Sequence, residues 1–385
     1  MTTPSSRPGG AASLIGTVVG GRYKLERLIG EGGMSAVYEG EHIHMHKPVA
    51  VKVLSPEMSK SSEAVERFHR EAMAASRIDH PNVAAATDFG ELEDQSFFLV
   101  LELVTGKTLR EVVTAGKLPV RRALHVARQI ASALSRAHAL DIVHRDLKPE
   151  NVMLTSRSVG DAERRRNSED DDFVKVLDFG IAKLAMKDFA PDATPSDAAP
   201  HTQLGMVYGT PEYMSPEQAM GKPIDARADL YSLGVIMFEM LAGVRPWDDA
   251  NKAVLLGKQV SADIPAIAEM APDAGTPADV EAIVRKLMAK SPDERYAKTE
   301  DALAAIDAIL ARPPAPLVLP GQALTVPLPA AQRLVKKPLL DRIESRLPLE
   351  KIPLELPPRQ KLYALMGVAA FTLLLMMGVL ATVLA

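Results

Sequence analysis

The sequence predicts an α+β fold of two lobes, a small β-rich lobe followed by a larger α-rich one, with a transmembrane helix at the C-terminal end. Three observations carry this expectation. Short runs of β-branched residues, broken by Gly and Pro, fill the stretch from Arg22 to Leu54. After Pro119 the apolar residues recur at helical spacing. The last 24 residues, Leu362–Ala385, contain no charged side chain. A chain of 385 residues with 24% charged and 47% hydrophobic residues is neither a disordered polymer nor a stapled miniprotein. Its net charge of −4 gives no reason to expect nucleic acid as a partner. With no cysteine, disulfides and thiolate metal sites are excluded.

In the first lobe, Arg22–Ile29, Ala36–Glu41 and Pro48–Leu54 read as strands. Ser62–Ile78 reads as a helix, because Val65, Phe68, Ala72, Ala75 and Ile78 share one face. Ser96–Val104 is a further strand. The second lobe is built on helices over Val120–Leu140, Ile224–Gly243, Asp279–Lys290 and Thr299–Leu310. Ser156–Asp172 and Lys187–Pro200 read as solvated insertion loops.

The ends differ from this folded part. Met1–Gly21 is rich in Ser, Pro, Gly and Thr, lacks the long apolar core of a signal peptide, and is expected to be a disordered tail. Between Arg312 and Gln360 there are eleven prolines, which bar long helices and ladders and suggest a semi-extended tether. A Pro-rich ligand for a recognition domain is the alternative reading. Leu362–Ala385 as a helix would span about 36 Å, enough for a ~30 Å hydrocarbon core. Arg359 and Lys361 precede it and no charge follows, so the positive-inside rule leaves the N-terminal part in the cytoplasm. The expected boundaries are a tail over 1–21, a folded domain over 22–311 with lobes at 22–104 and 105–311, a linker over 312–361 and a single membrane span over 362–385.

The chemistry sits on the connections. Gly30-Glu31-Gly32-Gly33-Met34-Ser35-Ala36-Val37 lies between two strands, and its glycines would let backbone N–H groups approach phosphate oxygens. A ligand-free glycine turn is the other reading of that stretch taken alone. Lys52 ends the apolar run Val49-Ala50-Val51, and Glu71, in the striped helix, can supply the anion a buried lysine needs. Each of the two, taken singly, reads first as a solvated surface charge. Within His144-Arg145-Asp146-Leu147-Lys148-Pro149-Glu150-Asn151, three side chains can face one point. Asp146 can accept a hydrogen bond from a hydroxyl nucleophile, Lys148 can neutralise a moving phosphoryl group, and Asn151 offers a neutral oxygen to Mg2+. Asp178, in Leu177-Asp178-Phe179-Gly180, ends a strand with a second hard oxygen ligand.

Together these motifs resemble the signature set of eukaryotic-type (Hanks-type) serine/threonine protein kinases. The resemblance covers about residues 22–311 and extends to Gly209-Thr210-Pro211-Glu212-Tyr213, Ser215-Pro216-Glu217, Asp229–Gly234 and Arg295. Lys148, Pro149-Glu150-Asn151 and Thr210 are similar to the serine/threonine branch. Gly-Gly-Met-Ser and Tyr-Met-Ser-Pro-Glu-Gln are similar to its bacterial, membrane-linked members.

What the resemblance implies is a two-lobed protein kinase fold that transfers the ATP γ-phosphate to protein hydroxyls, with Mg2+ (or Mn2+) as the metal. It implies that the loop Ile29, Gly30, Glu31, Gly32, Gly33, Met34 and Ser35 covers the phosphates. Val37, Ala50 and Leu154 would sandwich adenine, with Leu101 as gatekeeper and the backbone of Glu102–Val104 on the base edge. Lys52 would pair with Glu71 and the phosphates. Asp146 would be the catalytic base beside Lys148 and Thr210, Asn151 and Asp178 would hold the metal, and Glu217 would pair with Arg295. A phosphate on the activation segment, best placed at Thr202 with Thr194 and Ser196 as alternatives, would neutralise Arg145. The implied partners are protein substrates, the inner membrane through the C-terminal helix, and a second copy for trans-autophosphorylation.

Three departures stand out. Ser35 replaces a third loop glycine, Ser215 replaces Ala before Pro216-Glu217, and Ala75 is small where many kinases carry a bulky residue. Two rival readings remain: a pseudokinase scaffold, which would need none of Lys52, Asp146, Asn151 and Asp178, and a small-molecule kinase, which would not need the peptide-binding stretch Gly209–Glu217.

Overall fold

The computed structural model describes residues 11–156, 172–179 and 210–312. The chain divides into two units, Met1–Pro313 and Pro314–Ala385, and all described residues belong to the first.

The first lobe comprises β1 (Val18–Val19), β2 (Tyr23–Glu31), β3 (Ser35–His42), β4 (Lys47–Leu54), α1 (Pro56–Ser59), α2 (Ser62–Arg77), β5 (Ala86–Glu91) and β6 (Phe97–Glu102). Its strands form one six-stranded sheet in the order β1-β2-β3-β4-β6-β5, with antiparallel neighbours. Along β3, buried positions alternate with half-buried ones, the period-two signature of a strand with one face inward. Tyr38 of β3 joins Leu25, Val51, Phe98 and Val100 in a core on one side. On the other side Phe68 and Ala72 of α2 pack on Leu54 and Leu99. Ser61 caps α2 by accepting the Ala64 N–H, which fixes where the helix begins. Gly40 is required by its neighbours: a Cβ there would come within 2.5 Å of the Lys24 carbonyl oxygen on β2.

The second lobe comprises β7 (Lys107–Thr108), α3 (Leu109–Ala115), α4 (Val120–His138), β8 (Val152–Ser156), β9 (Asp172–Val176), α5 (Pro216–Ala219), α6 (Arg227–Ala242), α7 (Lys252–Ser261), α8 (Ile267–Met270), α9 (Ala278–Leu287) and α10 (Thr299–Leu310). Strands β7, β8 and β9 form a small antiparallel sheet. Its core centres on α4 and α6. Every residue from Ala228 to Ala242 is buried, so α6 is enclosed on all sides and shows no stripe. It packs against α9 at Gly234, where a Cβ would meet the Leu287 and Met288 side chains at 2.8 and 2.7 Å.

The sequence expectations need four adjustments. The expected disordered tail includes an ordered part: a 3-10 turn over Ala11–Leu14 and β1, with Leu14 and Val19 buried against the sheet. The first lobe gains β5, whose half-buried residues gave no clear alternation. The second gains α3, α7 and α8, which are too short for a periodic signal to emerge. The loop expected over Ser156–Asp172 is closed at its base, since Ser156 pairs with Asp172 at the end of the β8–β9 ladder. Residues 157–171, the Lys187–Pro200 loop, the linker and Leu362–Ala385 lie outside the described residues. Among the described residues no helix is long and apolar enough to cross a membrane.

One buried ion pair closes the second lobe. Both guanidinium nitrogens of Arg295 reach the Glu217 carboxylate, at 2.7 and 2.8 Å, and Arg295 also donates to the carbonyls of Ala289, Arg227 and Lys290. Its side chain is fully buried. Removing one partner of such a pair leaves a charge with no water and no counter-ion. Arg295→Met should therefore cost about 3–5 kcal/mol in urea unfolding. Adding Glu217→Leu to it should restore part of that loss, because the orphaned charge is then gone.

Candidate active site

Strand β4 places Lys52 and helix α2 places Glu71 so that Nζ and Oε1 are 2.5 Å apart, with little solvent access to either side chain. Lys52 also reaches Oδ1 of Asp178 at 3.3 Å. Burial pulls the Lys52 pKa down, but Asp178 and Glu71 more than reverse this and hold it well above the usual lysine range. The lysine is therefore a permanent cation. It ties the sheet, α2 and the segment after β9 to one point.

The connection from β2 to β3 is the glycine-rich loop. It turns tightly, with Gly32 N–H donating to the Ser35 carbonyl at 2.9 Å, and the Met34 carbonyl accepting from Ser55 N–H. A Cβ at Gly30 or Gly33 would meet nothing within 4 Å. The space over these backbone amides is thus open, which suits phosphate oxygens. Ser35 begins β3 and pairs with Leu54, so its side chain belongs to a strand end rather than to the loop tip. Ile29 and Glu31 are exposed.

Ala50 pairs with Leu101, and Leu154 is buried beneath the cleft on β8. Val37 and Leu101 are half-buried, as are Glu102 and Val104 in the segment joining the lobes. The Glu102 side chain is occupied by Lys175 at 2.8 Å, and by the Ala85 N–H. Its side chain is therefore committed to the scaffold, which leaves the backbone of this segment to meet a base.

The loop between α4 and β8 is held by a buried carboxylate. Asp229 of α6 accepts the backbone N–H of His144 at 2.7 Å and of Arg145 at 2.9 Å, as well as the His138 ring at 2.8 Å. Burial pushes its pKa up, but these donors prevail and hold it below the usual carboxylate range. Arg145 is in the left-handed region, with φ of 65°, and Asp178 likewise, with φ of 47°. Such backbone is strained for side-chain-bearing residues and persists where surroundings impose it. Here Asp229 clamps Arg145, while the His144 ring bonds the Leu177 carbonyl at 3.0 Å and packs on Phe179.

The reactive side chains then follow. Lys148 Nζ lies 3.0 Å from Asp146 Oδ2 and 3.0 Å from Thr210 Oγ1, so one ammonium bridges the two. Asn151 donates its amide N–H to the Asp146 carbonyl at 2.9 Å. Its amide oxygen is left as the ligand atom. Among the described residues no group of three or more His, Cys, Asp or Glu side chains is arranged to hold a metal. Asn151 and Asp178 instead supply two oxygens, which fits an ion such as Mg2+ that keeps waters and shares phosphate oxygens.

Of the expected site residues, Lys52, Glu71 and Asp178 meet at one point, and Asp146, Lys148, Thr210 and Asn151 are joined at another. Thr202, Thr194 and Ser196 lie outside the described residues. The sequence reading missed a second network beside this one. Arg110 of α3 reaches Glu150 at 2.8 Å, Glu239 of α6 at 2.7 Å, and the hydroxyl of Tyr213, which itself donates to Glu239. Burial and Glu239 push the Tyr213 pKa up, so the phenol stays protonated as a donor. Nothing local marks Arg110, whose partner Glu239 is 129 positions away.

Comparison with known proteins agrees with this geometry. Residues 23–305 match the protein kinase domain family, and the chain belongs to that family. It is 38% identical over 296 residues to the serine/threonine-protein kinase pkn3 of Myxococcus xanthus, covering 77% of this chain and 51% of that one. It is 38% identical over 289 residues to the serine/threonine-protein kinase PrkC of Bacillus subtilis, covering 75% and 40%. Against the serine/threonine-protein kinase PknA of Mycobacterium tuberculosis it is 36% identical over 325 residues, covering 82% and 68%. The chain thus spans about half or less of the first two relatives' length. The crystal structure of the M. tuberculosis PknI kinase domain matches with a TM-score of 0.55 and 26% identity, over 76% of this chain and 98% of that one.

If Lys52 and Asp178 act on phosphate and metal, removing either charge should cost catalysis but not the fold. Lys52→Met and Asp178→Asn should each lower phosphotransfer by about 10²–10³-fold, the scale for a lost transition-state electrostatic contact. Steady-state rates with circular dichroism as control would show it. Turnover near the wild-type rate in either variant would refute the assignment.

Proposed function

We propose that this chain is a serine/threonine protein kinase that moves the γ-phosphoryl group of Mg·ATP to hydroxyls of protein substrates in bacterial signalling. The observation that carries the proposal is the single ammonium of Lys148 bridging Asp146 and Thr210, with the proposed metal ligands Asn151 in the same loop and Asp178 just after β9. Family membership and the names of the relatives support the same reading.

In this proposal Asp146 accepts the hydrogen bond of the substrate hydroxyl and orients its oxygen. As the new O–P bond forms and the bond to the ADP leaving group breaks, the hydroxyl proton passes to Asp146. Lys148 offsets charge on the transferring group. Lys52, held by Glu71, fixes the α- and β-phosphates, while the loop amides of Gly30–Ser35 cover them. Val37, Ala50, Leu154 and Leu101 enclose the adenine. Asn151 and Asp178 would hold the metal, which when bound would offset phosphate charge. Thr210 keeps Lys148 aimed at Asp146.

The test is phosphotransfer by the purified chain from labelled Mg·ATP to a generic protein substrate, beside Asp146→Asn. The wild type should label the substrate well above the variant, and should label itself. Mass spectrometry should then find phosphate within 183–210, at Thr202 first, absent from Asp146→Asn. Equal labelling by the two chains would favour a scaffold. Label on small molecules alone would favour a small-molecule kinase.

The proposal extends to place. The uncharged run Leu362–Ala385, with Arg359 and Lys361 before it, supports a C-terminal anchor in the inner membrane, the kinase domain facing the cytoplasm and the proline-rich linker between them. Two anchored copies would meet readily for trans-autophosphorylation. Deleting 362–385 should release the protein from carbonate-washed membranes without lowering its turnover on a soluble peptide. A truncated chain that still resists carbonate extraction would show that the anchor lies elsewhere.

A further inference from the structure

Gln259 lies in the last turn of α7 and is fully buried. Its side-chain amide is spent on three bonds. Nε2 donates to the Pro211 carbonyl at 3.1 Å and the Glu212 carbonyl at 2.7 Å. Oε1 accepts the Tyr231 hydroxyl at 2.6 Å. The three partners fix the amide's direction: the carbonyls can only accept, so the NH2 group faces them and the oxygen takes the Tyr231 hydroxyl. Those carbonyls belong to the 3-10 turn Pro211–Tyr213, which follows Thr210 directly. The same turn holds Tyr213, tied to Glu239, and Glu212, ion-paired with Arg245.

The amide itself is anchored from behind. Lys290 donates to the Gln259 backbone carbonyl at 2.8 Å and to that of Lys258 at 3.3 Å, and its ammonium sits 3.9 Å over the Trp247 ring. A latch thus runs from the end of α9 through α7 to the turn beside the reactive site. A buried carbonyl that loses its donor keeps the full cost of desolvation, so without the amide the turn loses one of the braces that hold it.

We propose that Gln259 is a positioning residue for protein-substrate phosphorylation, fixing through two carbonyls the turn on which the acceptor segment of the substrate lies. This rests on the kinase reading above, with the stretch Gly209–Glu217 as the part that binds the protein substrate. Gln259 touches neither nucleotide nor hydroxyl. It acts through Pro211 and Glu212 alone, so its loss should fall on the protein substrate and spare ATP.

The experiment uses the full chain in detergent, Mg·ATP and myelin basic protein as the acceptor, with each substrate varied in turn. Gln259→Met keeps the volume and removes the hydrogen bonds. It should lower kcat/KM for the acceptor by about 10–100-fold, the scale of two lost hydrogen bonds, and leave KM for ATP within about twofold. Wild-type kcat/KM in this variant overturns the inference. So does a rise in KM for ATP that matches the loss on the acceptor, since a general loosening of the fold would produce it. Should Gln259→Met fail to fold, Tyr231→Phe keeps the ring, removes the hydroxyl that orients the amide, and should show a smaller loss with the same split. No split in Tyr231→Phe overturns the inference. A wild-type chain that labels no acceptor overturns the kinase reading itself, whereas an active wild type with insensitive variants overturns the role of Gln259 alone.

Discussion

Asp229 sits within a helix that has no exposed side, and its carboxylate gathers the N–H groups of His144 and Arg145 and the ring of His138. A carboxylate so placed would be expensive if any of its donors were missing. Its burial therefore dictates the path of the loop that carries Asp146, Lys148 and Asn151. Arg145 accepts a left-handed backbone because the alternative is an unpaired buried charge. The loop is rigid by its attachment to α6 rather than by anything in its own sequence.

The two lobes contribute differently to the cleft. The sheet lobe supplies Lys52 on a strand whose neighbours are apolar, and α2 brings Glu71 to meet it. The helical lobe supplies Asp178, which also reaches Lys52. One cation thus reports on the placement of three segments at once. Without Glu71, a buried ammonium would keep only Asp178, which is itself half-exposed and is proposed to be shared with a metal. On the proposed kinase reading, this ion pair, though remote from the hydroxyl acceptor, would hold the nucleotide in register.

Around the acceptor side, polar residues take the place of a packed core. Arg110, Glu150, Glu239 and Tyr213 form one connected set, and Gln259, Tyr231 and Lys290 form another. Both sets are satisfied within the protein, so they hold geometry rather than store cost. Both converge on the short turn after Thr210. The surface proposed to receive a protein substrate is therefore braced from α3, α6 and α7, of which α3 lies far from the other two in the chain.

The sequence by itself determined the catalytic vocabulary. Glycines before β3, Lys52 at the end of an apolar run, and the Asp146-to-Asn151 and Asp178 segments are local patterns that together resemble the kinase signature set. It also determined α10, whose bounds match the periodic pattern, and the inward face of α2, where Phe68, Ala72 and Ala75 are buried at helical spacing. Tertiary structure alone decided the rest. β1 forms inside a Gly-rich stretch with only a short apolar patch, because β2 offers it an edge. α6 shows no stripe because it is enclosed on all sides. Arg110, His138 and Gln259 have meaning only through partners brought in by the fold. A single glutamine in a short helix carries no local signal, and its function follows from which carbonyls the chain happens to bury against it.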